Sequence, residues 1–112
     1  MAELQGEWAM VSCIRSGEKL PGSFAKQGKR IIEGTQSKLY FGPQMYMQGT
    51  LSSDGPGKIR LEFSSGEAPQ LGIFELDGNS LKTCMGGFGK ERPGAYESTP
   101  EGGETYAVWK RV

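Results

Sequence analysis

Residues 72–84 read GIFELDGNSLKTC, and this stretch decides the fold. Ile73 to Leu76 and Leu81 to Cys84 are two short runs of alternating character, separated by Asp77-Gly78-Asn79. Gly and Asn tolerate positive φ, as a tight hairpin requires, so the stretch predicts two antiparallel strands joined by a short turn. Upstream, Lys58-Ile59-Arg60-Leu61-Glu62-Phe63 alternates charged and apolar residues, the pattern of a half-buried strand.

The same reading extended along the chain predicts eight strands, near 6–15, 28–34, 37–41, 44–52, 57–64, 69–76, 80–86 and 104–111. Most connections are short and carry turn residues: Gly34-Thr35-Gln36, Gly42-Pro43, Ser53-Asp54-Gly55-Pro56, Ser65-Gly66-Glu67. Two are longer, 16–27 and 87–103, and the stretch 20–27 has room for one short turn of helix. Glycine numbers 18 in 112 residues, well above the usual share of about 7%, and is spread as punctuation between elements. Consecutive strands linked by hairpins form a meander, and a long twisted meander removes its exposed edges by closing. The expected fold is therefore all-β, one domain over residues 1–112: an eight-stranded antiparallel up-and-down barrel. Such a barrel is wide enough inside for side chains or one small ligand.

Composition narrows the function. Lys plus Arg and Asp plus Glu are 13 each, giving no net charge, and no long run of one sign occurs. That balance argues against a nucleic-acid partner or an acidic membrane surface. The chain contains no apolar stretch long enough to span a bilayer and no charged-then-apolar leader. A cytoplasmic location is the default expectation. Histidine is absent and the only thiols, Cys13 and Cys84, lack metal-ligand spacing. The expectation is no metal, no cofactor and no cysteine–histidine nucleophile. Cys13 lies on the first predicted strand and Cys84 on the seventh. Strands two apart in a sheet are about 9–10 Å from each other, beyond disulfide reach, so both thiols should be free.

Gly6-Glu7-Trp8 precedes the first alternating run, and Trp109-Lys110-Arg111 closes the last. A G-x-W with a terminal arginine resembles the calycin signature of lipocalins and fatty-acid-binding proteins. Closer still is the similarity to a family of small, largely uncharacterised bacterial lipocalin-like proteins. It rests on Leu4-Gln5-Gly6-Glu7-Trp8, Gly17-Glu18-Lys19-Leu20-Pro21-Gly22, Ile32-Glu33-Gly34, Gly72 to Gly78, Leu81, Cys84, Arg92-Pro93 and Lys110-Arg111. The resemblance implies a calycin-like barrel, with Trp8 plugging one end and Arg111 packed across its ring. It implies no particular activity.

The residues themselves offer two main readings. In one, the barrel is a non-catalytic module that takes a small apolar or amphipathic molecule, with Arg30 and the aromatic and methionine set Tyr40, Phe41, Met45, Tyr46, Met47, Phe63, Phe74 and Met85 as candidate lining. Arg30 is the most informative. Its period-two partners are Gly28 and Ile32, so a regular strand with Ile32 inward carries the guanidinium into the barrel, where it needs an anionic partner or ligand. A bulge would instead send it to solvent. The glycine-rich segment 86–103 is either a mobile connection or a portal presenting Phe88, Arg92 and Tyr96. In the other reading the same aromatic and methionine side chains fill the core, and the domain acts in protein interaction or structure. An enzyme would have to work through carboxylates, Tyr, Lys or Arg, and no spacing picks out such a set. Nothing in the sequence specifies an oligomeric state.

Overall fold

The structure, a computed structural model, describes residues 2–112. A 3-10 turn over Ala2–Leu4 leads into β1 (Gly6–Arg15), the two-residue β2 (Glu18–Lys19) and a single helical turn, α1 (Gly22–Ala25). There follow β3 (Gly28–Glu33), β4 (Gln36–Phe41), β5 (Gln44–Gly55), β6 (Lys58–Glu62), β7 (Gln70–Asp77), β8 (Ser80–Met85) and β9 (Thr105–Arg111). Every pairing is antiparallel. The sheet runs β1-β3-β4-β5-β6-β7-β8-β9 and closes by pairing β9 with β1, so eight strands form a closed barrel. β2 is a short arm on the end of β1, pairing Ile14 with Lys19, and lies inside the long 16–27 connection. No described helix is long and apolar enough to cross a membrane.

The hairpin at residues 72–84 forms as its residues dictate. Asp77 pairs with Ser80 across a two-residue loop, and Gly78, at φ 60°, occupies the first loop position, where positive φ is needed. β7 and β8 alternate as a barrel wall must, with Gln70, Gly72, Leu81, Thr83 and Met85 buried. Gly72 is required for its size. A Cβ there would lie 2.2 Å from the Met85 sulfur, so the Met85 side chain crosses the barrel wall over a position that must stay empty.

The barrel has a closed end and an open one. At the closed end Trp8 is fully buried (0% exposed), and the Arg111 guanidinium lies 4.2 Å above its ring. Arg111 also donates to the carbonyls of Gln5 (2.9 Å) and Glu3 (3.0 Å), while the Trp8 indole N–H donates to Leu4 O at 3.0 Å. Cation–π attraction and these hydrogen bonds tie the last strand to the first residues of the chain. Gly6 (φ 115°) makes the bend beside this plug. Around it pack Leu4, Ile32, Leu51, Ile59, Leu61 and Leu81.

Both cysteines are free, on opposite faces of the wall. Cys13 points inward. Cys84 is on the outer face, covered by the 86–104 connection, where its thiol donates to Glu97 O at 3.3 Å.

Candidate ligand cavity

β3 keeps regular register against both neighbours: Arg30 pairs with Trp8 on β1 and with Leu39 on β4. Ile32 and Gly28 are buried on the same face, so alternation carries Arg30 into the barrel. There its Nη1 donates to Ser37 Oγ at 2.7 Å, and the guanidinium stands 5.3 Å from the Trp109 ring centroid. Its other nitrogens meet no protein acceptor among the described residues, and the surface it retains faces the cavity. Burial lowers the Arg30 pKa to about 10, partly opposed by the charge of the nearby Cys13 sulfur once it ionises.

Arg30 divides the interior into two spaces. Below it, toward the plug, lies a recess of about 20 Å³ walled by Leu4, Ile32, Leu51, Ile59, Leu61 and Leu81. Above it lies a cavity of about 70 Å³ bounded by Met10, Leu39, Phe41, Met47, Met85 and Trp109, with polar atoms from Gln70, Thr83 and Thr105. This upper cavity meets a wider vestibule of about 300 Å³ at the open end, the two sharing Arg15, Tyr46, Met47 and Phe88. No Asp or Glu lines the upper cavity or the recess, whereas both Arg30 and Arg15 line the cavity. Burial raises the Cys13 thiol pKa despite the pull of Arg15 and Arg30, so the thiol stays protonated near neutral pH. The arrangement is an apolar pocket with an uncompensated positive group at its floor.

Of the residues expected to line a pocket, Arg30, Met47 and Met85 do so. Tyr40 and Met45 do not. Ser37, Leu39 and Phe41 take the inner face of β4, so alternation turns Tyr40 outward, and Tyr40 pairs across the sheet with Met45, which is 43% exposed. A bulge between Met45 and Met47 then gives Tyr46 the mouth position. Phe63 lines the vestibule, edge-on to Phe88 at 5.3 Å between centroids. Phe74 packs against the core and lines none of the three spaces.

The portal set also separates. Phe88 stands at the mouth, but Arg92 and Tyr96 lie on the outer wall. Arg92 Nη1 donates to the carbonyls of Ile59 (2.9 Å) and Gly72 (2.6 Å), and Nη2 pairs with Asp54, which Arg60 also holds. Tyr96 packs on Tyr106 at 5.9 Å. The 86–104 connection is thus a strap fastened down the barrel wall, because backbone carbonyls and a carboxylate there satisfy the arginine.

Phe41 and Tyr46, of the same aromatic and methionine set, line the cavity too, while Arg15 and Trp109 line it without having been expected there. Phe41 was within reach of simple alternation from Leu39. Arg15 was not: a bulge between Met10 and Ser12 exposes Val11 and resets the inward face of β1 to Cys13 and Arg15. The described residues contain no group of His, Cys, Asp and Glu able to hold a metal ion. Comparison of the chain with protein-family models, with curated proteins and with solved structures found no match.

Proposed function

We propose that this barrel is a non-catalytic, lipocalin-like binding module for a small apolar molecule bearing an acidic head, with the head on Arg30. The observation that carries the reading is a guanidinium inside the barrel, facing a cavity without a carboxylate. A buried cation is costly unless it is paired, and an anion entering this cavity would supply the missing partner. The apolar walls suit the body of such a molecule, and the three methionines Met10, Met47 and Met85 give them an adaptable shape. The resemblance of the Gly6-Glu7-Trp8 and Arg111 pair to the calycin plug supports the same class of protein.

One observation favours a second reading. The inner spaces, about 70 and 20 Å³, are small against the roughly 300–1,000 Å³ of drug-sized ligand pockets. On that reading the barrel is a filled scaffold acting through the aromatic residues of its rim.

Calorimetric titration with benzoate and with benzamide separates the two. The binding-module reading expects the acid to bind at least about ten-fold more tightly than the amide, and Arg30→Leu to abolish that preference. Equal affinity for acid and amide would remove Arg30 from the site. No binding of either up to millimolar concentration would leave the filled scaffold. Native mass spectrometry of the purified protein would add a direct view of any co-purified acid.

A further inference from the structure

The upper cavity has a roof. Arg15, at the end of β1, donates from Nη1 to the Tyr46 hydroxyl, and its guanidinium stands 5.3 Å from the Tyr46 ring centroid. β1 and β5 are not neighbours in the sheet, since β3 and β4 lie between them. The pair therefore reaches across the mouth as a bar, and both residues line the cavity on one side and the vestibule on the other. Tyr46 owes this position to the β5 bulge, and Phe41 holds its ring edge-on at 5.5 Å. Phe41 is in turn stacked on Phe24 of α1 at 4.6 Å, which anchors the bar's tyrosine end to the rim.

We propose that this bar sets the length of the ligand: the cavity takes a compact monocarboxylate, head on Arg30 and body under Arg15–Tyr46, and rejects long-chain acids. The proposal rests on the acid-binding reading above. The space between floor and bar is about 70 Å³, well short of the roughly 300–1,000 Å³ of drug-sized ligand pockets. That suits a ring or a short branched chain behind a carboxylate. A longer chain has to part Arg15 from Tyr46 and leave its tail in the vestibule, half of whose lining is polar: Arg15, Gln48, Ser65 and Glu67. Both costs fall on the long acid alone. Arg15 and Tyr46 are then specificity-determining residues that need not touch the carboxylate. Their exposure leaves them free to swing aside for entry on the fast timescale of surface side chains.

The test is calorimetric titration of benzoate, hexanoate and dodecanoate into the wild type, Tyr46→Ala and Arg15→Gln. Both substitutions are at exposed positions, and using two guards against a local effect of either. The wild type should bind the two short acids at least about ten-fold more tightly than dodecanoate, although the longer chain has more apolar surface to bury. In both variants dodecanoate should gain affinity, by about ten-fold, and the preference should collapse. Dodecanoate bound by the wild type as tightly as the short acids would overturn the bar, as would a preference unchanged in both variants. Either result would leave Arg30 as the acid site. Failure of all three acids to bind any of the proteins would overturn the bar together with the acid-binding reading beneath it.

Discussion

Replacing Arg30 by Leu should leave the barrel nearly as stable as before, a counter-intuitive result for removal of a side chain from the interior. Burial lowers the guanidinium pKa to about 10, roughly two to three below its ordinary value. At about 1.4 kcal/mol per pH unit, keeping it charged inside costs the fold about 3 kcal/mol. Against this relief stand two losses. Ser37, 1% exposed, loses the partner of its hydroxyl, worth about 1–3 kcal/mol for a stranded buried group. The contact with Trp109 is worth about 0.5–2 kcal/mol more. The two sides nearly cancel, so the unfolding free energy from urea denaturation should change by no more than about 1–2 kcal/mol. Adding Ser37→Ala should recover part of the loss. The pH dependence provides an independent check. Above pH 10 the unfolded chain holds the Arg30 proton that the folded barrel has released, so wild-type stability should rise relative to Arg30→Leu as pH passes that point. Because Cys13 is electrostatically coupled to Arg30, both proteins carry Cys13→Ser in this comparison. Destabilisation by 4 kcal/mol or more, about what breaking a buried ion pair costs, would show that Arg30 is a paired structural ion and would refute the reasoning.

Other substitutions test other parts of the structure. Trp8→Ala should cost about 3–5 kcal/mol, as deletion of a large buried aromatic does, and an unchanged denaturation midpoint would separate the plug from the stability of the barrel. Gly72→Ala should cost about 1–3 kcal/mol by overpacking against the Met85 sulfur and Cys84 O, and combining it with Met85→Ala should restore part of that loss. Titration of the denatured protein with a thiol reagent, without reductant, should find both Cys13 and Cys84 free, and a value near zero would contradict the strand order. The Asp54 carboxyl is held below the usual carboxylate range by hydrogen bonds from Arg60 and Arg92. The stability difference between wild type and Asp54→Asn should therefore be complete above the ordinary aspartate pKa. It should disappear as pH falls through the lowered one, and a difference that persists in acid would show that the carboxylate charge does not fasten the strap.

The strands were legible in the sequence because a half-buried strand writes its two faces into alternate residues and its ends into Gly, Pro and Asn. Ile59, Leu61 and Gly78 stand where that local rule puts them. The direction of Arg30 was legible for the same reason, as a consequence of Gly28 and Ile32 on a strand without a bulge. Local alternation stops being informative where the register breaks. The bulges at Val11 and Tyr46 are single extra residues that no pattern of types announces, yet they decide that Arg15 and Tyr46, rather than Tyr40 and Met45, stand at the mouth. The strap was equally hidden. Arg92 finds Ile59 O, Gly72 O and Asp54 from 33, 20 and 38 positions away in the chain, contacts that exist only once β5, β6 and β7 lie side by side. Sequence alone thus determined the eight strands of the barrel, their order and the face each residue takes within a regular strand, since these depend on neighbours in the chain. Tertiary structure alone decided how much space is left around Arg30 and what closes over it. Both depend on side chains meeting across the barrel from strands far apart in sequence.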